Sequence, residues 1–128
     1  MKKFFAILFL GILLNTNLFA SWEKIGKSVD GNISYIDIRS LKIVGDIRYI
    51  FILFDYAIPN SYGDLSSKTY RQINCKNFMF KDLVKDYFRY PLGKGEPTSG
   101  SGKIKDPKWN SFNSGSTGLA VIKRVCKL

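Results

Sequence analysis

The stretch Arg48 to Tyr56, RYIFILFDY, constrains the fold of this chain more than any other. β-branched and aromatic residues dominate it and no breaker interrupts it, which is the pattern of a β-strand. Alternation puts Ile50, Ile52, Phe54 and Tyr56 on one face and Tyr49, Phe51 and Leu53 on the other. An antiparallel sheet usually buries one face and wets the other, so its strands alternate apolar with polar. This strand is apolar on both sides. The chain must therefore build a sheet and find cover for two faces of it.

The neighbouring segments read as further strands. Trp22 to Lys27 fits an edge strand, and Asp30-Gly31-Asn32 is a turn signal ahead of a strand at Tyr35-Ile36-Asp37-Ile38. A loop ending near Gly45-Asp46 precedes the central apolar run. Ser67 to Cys75 alternates, Lys76-Asn77 makes a tight turn, and Phe78 to about Phe88 returns as another strand. Strand follows strand with no helical stretch between them. The expected fold is α+β: an antiparallel meander of about six strands with one C-terminal helix packed on one face.

That helix is read over Leu119 to Leu128, capped by Ser114 or Ser116. At 100° per residue, Leu119, Val121, Ile122, Val125, Cys126 and Leu128 share one half of the wheel, and Ala120, Lys123, Arg124 and Lys127 the other. Docking on the sheet suits this single short apolar face better than lying on a membrane. The segment from Pro91 to Pro107, with Ser99-Gly100-Ser101-Gly102, is expected to be a flexible loop. It lacks the spacing of a phosphate-binding loop.

One helix covers one face. Tyr49, Phe51 and Leu53 left in water would forgo about 1.5–3 kcal/mol each of burial. A loop, a ligand or a second protomer must cover them, and the Gly-, Ser- and Lys-rich loop offers little apolar surface. These three residues are accordingly read as a self-association face, with a two-fold homodimer as the expected arrangement.

The N-terminus reads as an address. Lys2 and Lys3 precede an apolar run from Phe4 to Leu14, and Leu18-Phe19-Ala20 follows. A secretory signal peptide over residues 1–20, cut after Ala20, explains this better than a membrane anchor, because the run stops at Asn15. The expected mature part is a single domain, residues 21–128, without a membrane span, in the periplasm or at the bacterial cell surface. Without Lys2 and Lys3 it carries 18 basic and 10 acidic residues, a net charge of +8. Such a balance suits acidic partners, and export makes nucleic acid the least suitable of them.

Export also changes the meaning of the two cysteines, Cys75 and Cys126. In an oxidising compartment an even count reads as a disulfide, and no C-x-x-C spacing argues for redox chemistry. The sequence contains no histidine, which removes the commonest general base and most zinc sites. No calcium-loop or nucleophile-elbow motif is present, so neither a metal nor a cofactor is expected, and the chain is not expected to be an enzyme. The carboxylates nearest the strands are Asp37, Asp55 and Asp64. A hydrolase would need two of them facing each other across a cleft.

The ordered residues resemble a known family, the surface-adhesin protein E-like domain of Gram-negative bacteria. The pieces are Trp22, Tyr35-Ile36-Asp37, the strand ending in Asp55-Tyr56, Ser66-Ser67-Lys68-Thr69 leading to Ile73-Asn74-Cys75, Gly93-Lys94-Gly95-Glu96, Trp109, Ser114-Gly115-Ser116 and the helix ending at Cys126. Asn74 stands where the family more often has Asp, and Asn113-Ser114 replaces a usual proline. The resemblance implies an antiparallel sheet with a C-terminal helix and a binding or adhesion role, with host matrix proteins such as vitronectin or laminin as partners. A small hydrolase or an inhibitor of a host enzyme is the alternative. It assigns no ligand-contact residue.

Overall fold

The computed structural model describes residues 22–128; the signal-peptide assignment falls on residues outside that range. Seven strands and one helix follow in order: β1 Trp22–Lys27, β2 Ile33–Asp37, β3 Lys42–Val44, β4 Ile47–Asp55, β5 Ser66–Asn74, β6 Met79–Phe88, β7 Gly102–Lys103 and α1 Thr117–Cys126. All pair antiparallel, in the order β1-β2-β4-β5-β6-β7, with β3 beside β4. The expected meander and helix are both there.

Two departures have clear causes. The stretch between Ile38 and Asp46, expected as a loop, contains β3, which pairs Lys42–Val44 with Ile47–Tyr49 around a turn at Gly45 (φ +58°). β2 and β3 thus lie end to end along one side of β4. At their junction the Ser40 hydroxyl accepts the Phe51 N–H (2.9 Å) and donates to the Asp37 carbonyl (2.7 Å), filling the missing rung. The loop after Pro91, expected to be flexible, is tied along β6. The Thr98 N–H donates to the Tyr87 carbonyl, β7 pairs with Val84 and Lys85, and the Ile104 N–H donates to the Leu83 carbonyl. An edge strand offers a row of unpaired backbone groups, and this segment takes them.

The core lies between α1 and one sheet face. Ile36, Ile50, Ile52 and Ile73 meet Val121, Ile122 and Val125, all fully buried. Ser116 caps the helix, its Oγ accepting the Leu119 N–H at 3.1 Å. Arg124 and Glu23 of β1 form a two-pronged ion pair (2.7 and 2.8 Å). Arg124 holds the Glu23 carboxyl below its ordinary range by hydrogen bonding first and charge second.

A disulfide joins Cys75 to Cys126, closing a separation of 51 residues between the end of β5 and the end of α1. On the chain-entropy account such a loop stabilises the fold by about 4 kcal/mol. The helix reaches only part of the sheet. Over β5 and β6 its place is taken by Phe112, stacked on Phe80 at 4.3 Å. Gly118 allows this, since a side chain there would stand 2.6 Å from the Phe112 ring.

Candidate binding face

The opposite face is built by strand register. Tyr35 pairs with Leu53, Phe51 with Tyr70, Leu53 with Lys68 and Tyr49 with Gln72, so all of these side chains emerge on the side away from α1. Tyr70 lies 4.6 Å from Phe51 and 6.1 Å from Tyr49 between ring centres. Such spacings suit favourable aromatic contact. Lys68 holds its ammonium 5.9 Å from both the Trp22 and Phe51 rings, while Lys42 sits 5.8 Å from Tyr49. These are cation–π distances. Among the described residues, the ion pairs are Arg71–Asp82, Arg89–Asp64 and Arg124–Glu23. Lys68 enters none of them, although Asp86 of β6 stands directly opposite it in the strand register.

The face is covered at one end only. Leu53 is 3% exposed and Phe88 5%, because the turn Pro91–Gly93 lies across them. Ser66, fully buried, pins this turn: its hydroxyl donates to the Tyr90 carbonyl (2.6 Å) and accepts the Gly93 N–H (2.8 Å). Asp55 adds a bond from the Leu92 N–H at 2.9 Å. Leu92 is held at φ +57°, where a non-glycine residue is strained. The result is a shallow groove of 280 Å³ between Trp22, Tyr35, Leu53 and Leu92.

Of the three residues read as a self-association face, Tyr49 and Phe51 are therefore half-buried and open, and Leu53 is not. The chain's own turn supplies its cover, which the apolar poverty of the segment had argued against. A three-residue turn held by three hydrogen bonds from two side chains was enough. The sequence reading missed Trp22, Tyr35, Lys68, Tyr70 and Leu92 as members of this surface. The period-two spacing of Lys68, Tyr70 and Gln72 marks them as one face of a strand, but which face only register decides.

The three carboxylates are not brought together. Asp37 accepts the Arg39 N–H at a short turn after β2. It stands at the other end of β2 from Ile33, which is the residue paired with Asp55. Asp55 is spent on the Leu92 turn, and Asp64 is buried in the loop before β5, bonded to Asn60. Other groups are shifted by burial, Lys85 downward and Tyr56 upward, the latter while donating to Ser67 Oγ at 2.7 Å. Among the described residues no cluster of His, Cys, Asp and Glu could hold a metal, and no helix is long and apolar enough to cross a membrane.

The described structure matches solved structures of protein E from Haemophilus influenzae. One crystal form agrees with a TM-score of 0.65 at 18% identity, covering 88% of this chain and 91% of that one. Another matches at 0.62 and 16%, over 88% of each chain. A third, from a non-typeable strain, matches at 0.59 and 16%, over 88% of this chain and 79% of the other. At such identities the likeness establishes the fold. The comparison with curated proteins returned no match. The model of the family Surface-adhesin protein E matches residues 22–127, nearly all of the described chain. The chain belongs to the surface-adhesin protein E family.

Proposed function

We propose that the chain is exported by the signal at residues 1–20 and that its domain, residues 21–128, is a non-enzymatic adhesion module. Its open sheet face takes an acidic or aromatic-rich patch of a host extracellular protein, with matrix proteins such as vitronectin and laminin as the partners. The observation that supports this most is the unpaired Lys68 among the rings of Trp22 and Phe51. Trp and Tyr side chains standing together, partly desolvated, are what binding hot spots are made of, and the Lys68 ammonium adds a charge that favours an acidic partner. Immobilised residues 21–128 should retain vitronectin or laminin at physiological salt, and the pair of changes Lys68→Ala and Phe51→Ala should weaken retention by about tenfold or more. No retention of either protein would remove the matrix-protein reading and leave the family and fold untouched.

A second copy of the chain is the other occupant this face suits. The contiguous stack of Tyr49, Tyr70 and Phe51 favours it, because an isologous contact would bury the same rings twice. Sedimentation decides: a dimer that Phe51→Asp converts to a folded monomer supports it, and a chain already monomeric at high concentration overturns it.

A further inference from the structure

Charge is distributed unequally along the strands. At one end Lys27, Ile33, Asp55, Ser66 and Phe88 of β1, β2, β4, β5 and β6 lie in a single rung. The loops beyond it, 28–32, 56–65 and 89–101, carry Asp30, Asp64 and Glu96 against Arg89 and Lys94. At the other end β3 to β6 meet in the rung Val44, Ile47, Asn74 and Met79. Around that rung Lys42, Arg48, Lys76, Lys108, Lys123 and Lys127 stand against Asp46, while Lys105 and Asp106 offset each other. Most of the domain's excess positive charge is therefore gathered at one end.

The disulfide is the junction that gathers it. Cys75 and Cys126, with Cα atoms 5.6 Å apart, bring together the points from which Lys76 and Lys127 follow. Lys123 lies one helical turn before Lys127, about 6 Å along the axis, and both are exposed. The Cys75 N–H donates to the Asp46 carbonyl (2.8 Å), tying the Gly45 turn to the same junction, and Arg48 Nη1 donates to the Gly45 carbonyl (2.8 Å). Asn110 pairs with Phe80, next to the rung, and so brings Lys108 to the margin. Among the described residues none of the six cations enters an ion pair. The helix dipole accounts for cations in the last turns of α1 but not for Lys42, Lys76 or Lys108. Like charges gathered in this way repel one another, and a partner bringing several negative charges relieves the repulsion.

The placement of the cations says what shape that partner has. Lys42 pairs with Tyr49 and emerges on the open side of the sheet. Lys123 and Lys127 leave the outer face of α1 on the other side, and Lys76 stands in the turn between them. A flat bilayer would meet only one of these three directions. A flexible chain with negative charge at every repeat can pass from one to the next around the end. Five of the six are lysines, point charges without the fork of arginine, which suits sulfate groups held by charge rather than by paired hydrogen bonds. We propose that the disulfide-bearing end of the sheet binds a linear sulfated polysaccharide, with Lys76, Lys123 and Lys127 at the centre and Lys42 and Lys108 at the margins. This binding presupposes the export proposed above but not the matrix-protein role of the open face, so either can fail alone.

A heparin hexasaccharide titrated into isotope-labelled residues 21–128 at physiological salt, and followed by amide NMR, tests this. Saturable shifts are expected at 42–48, 75–78 and 123–128, and none at 28–32, 56–65 or 89–101. The pair of changes Lys76→Glu and Lys127→Glu should weaken binding by about tenfold or more. The pair Lys27→Glu and Lys94→Glu makes the same change of charge at the other end and should weaken it by less than about twofold. All four lysines are exposed, so both variants should keep the fold, which circular dichroism checks. Lys68→Ala, which probes the open face, should leave the hexasaccharide affinity unchanged. Equal weakening by the two pairs would show attraction to net charge alone and overturn the proposal, as would a titration without saturable shifts. Tighter binding of phosphatidylglycerol vesicles or of a DNA duplex than of the hexasaccharide would assign the end to another polyanion and overturn it too.

Discussion

Two basic residues three positions apart on β5 show how differently the two sheet faces are used. Arg71 points to the helix side and is 3% exposed, its guanidinium bonded to Asp82 at 2.6 and 3.2 Å and lying 4.4 Å from the Phe80 ring. Lys68 points to the other side, also among rings, but forms no ion pair, though Asp86 stands opposite it on β6. On the covered face Arg71 is neutralised and Phe112 closes over it, while Lys85, beside the Phe54 ring, is desolvated without an ion pair. On the open face the same ingredients are left unsatisfied. For these two cations the difference is a bonded counter-ion and a cover, which Arg71 has and Lys68 lacks.

Changes on the covered face should break the fold, and those on the open face should break only contacts. The largest effect is expected from Cys126→Ser, which frees the end of α1 from β5 and should cost about 2–5 kcal/mol in urea unfolding. Next is Arg71→Ala, which leaves Asp82 without its partner and should cost about 3 kcal/mol. The double change Arg71→Met with Asp82→Leu should recover much of that loss, because it removes both charges and refills the space between Phe54, Phe80 and Phe112. A cost within about 0.5 kcal/mol for Arg71→Ala would erase the distinction between the faces.

Smaller effects sharpen it. Lys68→Ala should change stability by no more than about 0.5 kcal/mol while weakening retention of a matrix protein, which circular dichroism and surface binding would separate. Acid provides the finest test. Glu23 is held below its ordinary pKa of 4.5 by Arg124, so the pair's contribution is complete above that value and disappears as pH falls through the lowered one. Both side chains are about a third exposed or more, so solvent screens the effect. Below about pH 4.5 the wild type should lose slightly more stability than Arg124→Met; equal losses would show that the ion pair contributes nothing.

Much of this was legible from local pattern. The strands at Ile47–Asp55, Ser66–Asn74 and Met79–Phe88 follow from alternation, aromatic and β-branched content, while Trp22–Lys27, short and mixed, only fits an edge strand; each lies within a residue or so of its expected ends. The helix and its buried face follow from a 3.6-residue period, and the disulfide from two cysteines read in an exported chain. β3 and β7 escaped notice because three and two residues cannot show a period. They exist because neighbouring strands need partners for their backbone groups. Arg71 and Lys68 look alike in sequence, each a cation in an alternating strand.

The sequence by itself determined the kind of elements, their order and the need to cover two apolar faces, because those depend on neighbours within a few residues. Only the tertiary structure decided what does the covering. Phe112 closes the part of one face that α1 does not reach, the turn Pro91–Gly93 is pinned over Leu53 by Ser66 and Asp55, and Asp64 is held by Asn60 and Arg89 rather than facing another carboxylate. Each of these brings together residues far apart in the chain, through register and side-chain hydrogen bonds. Those are properties of pairs of strands and loops, which no single stretch of sequence contains.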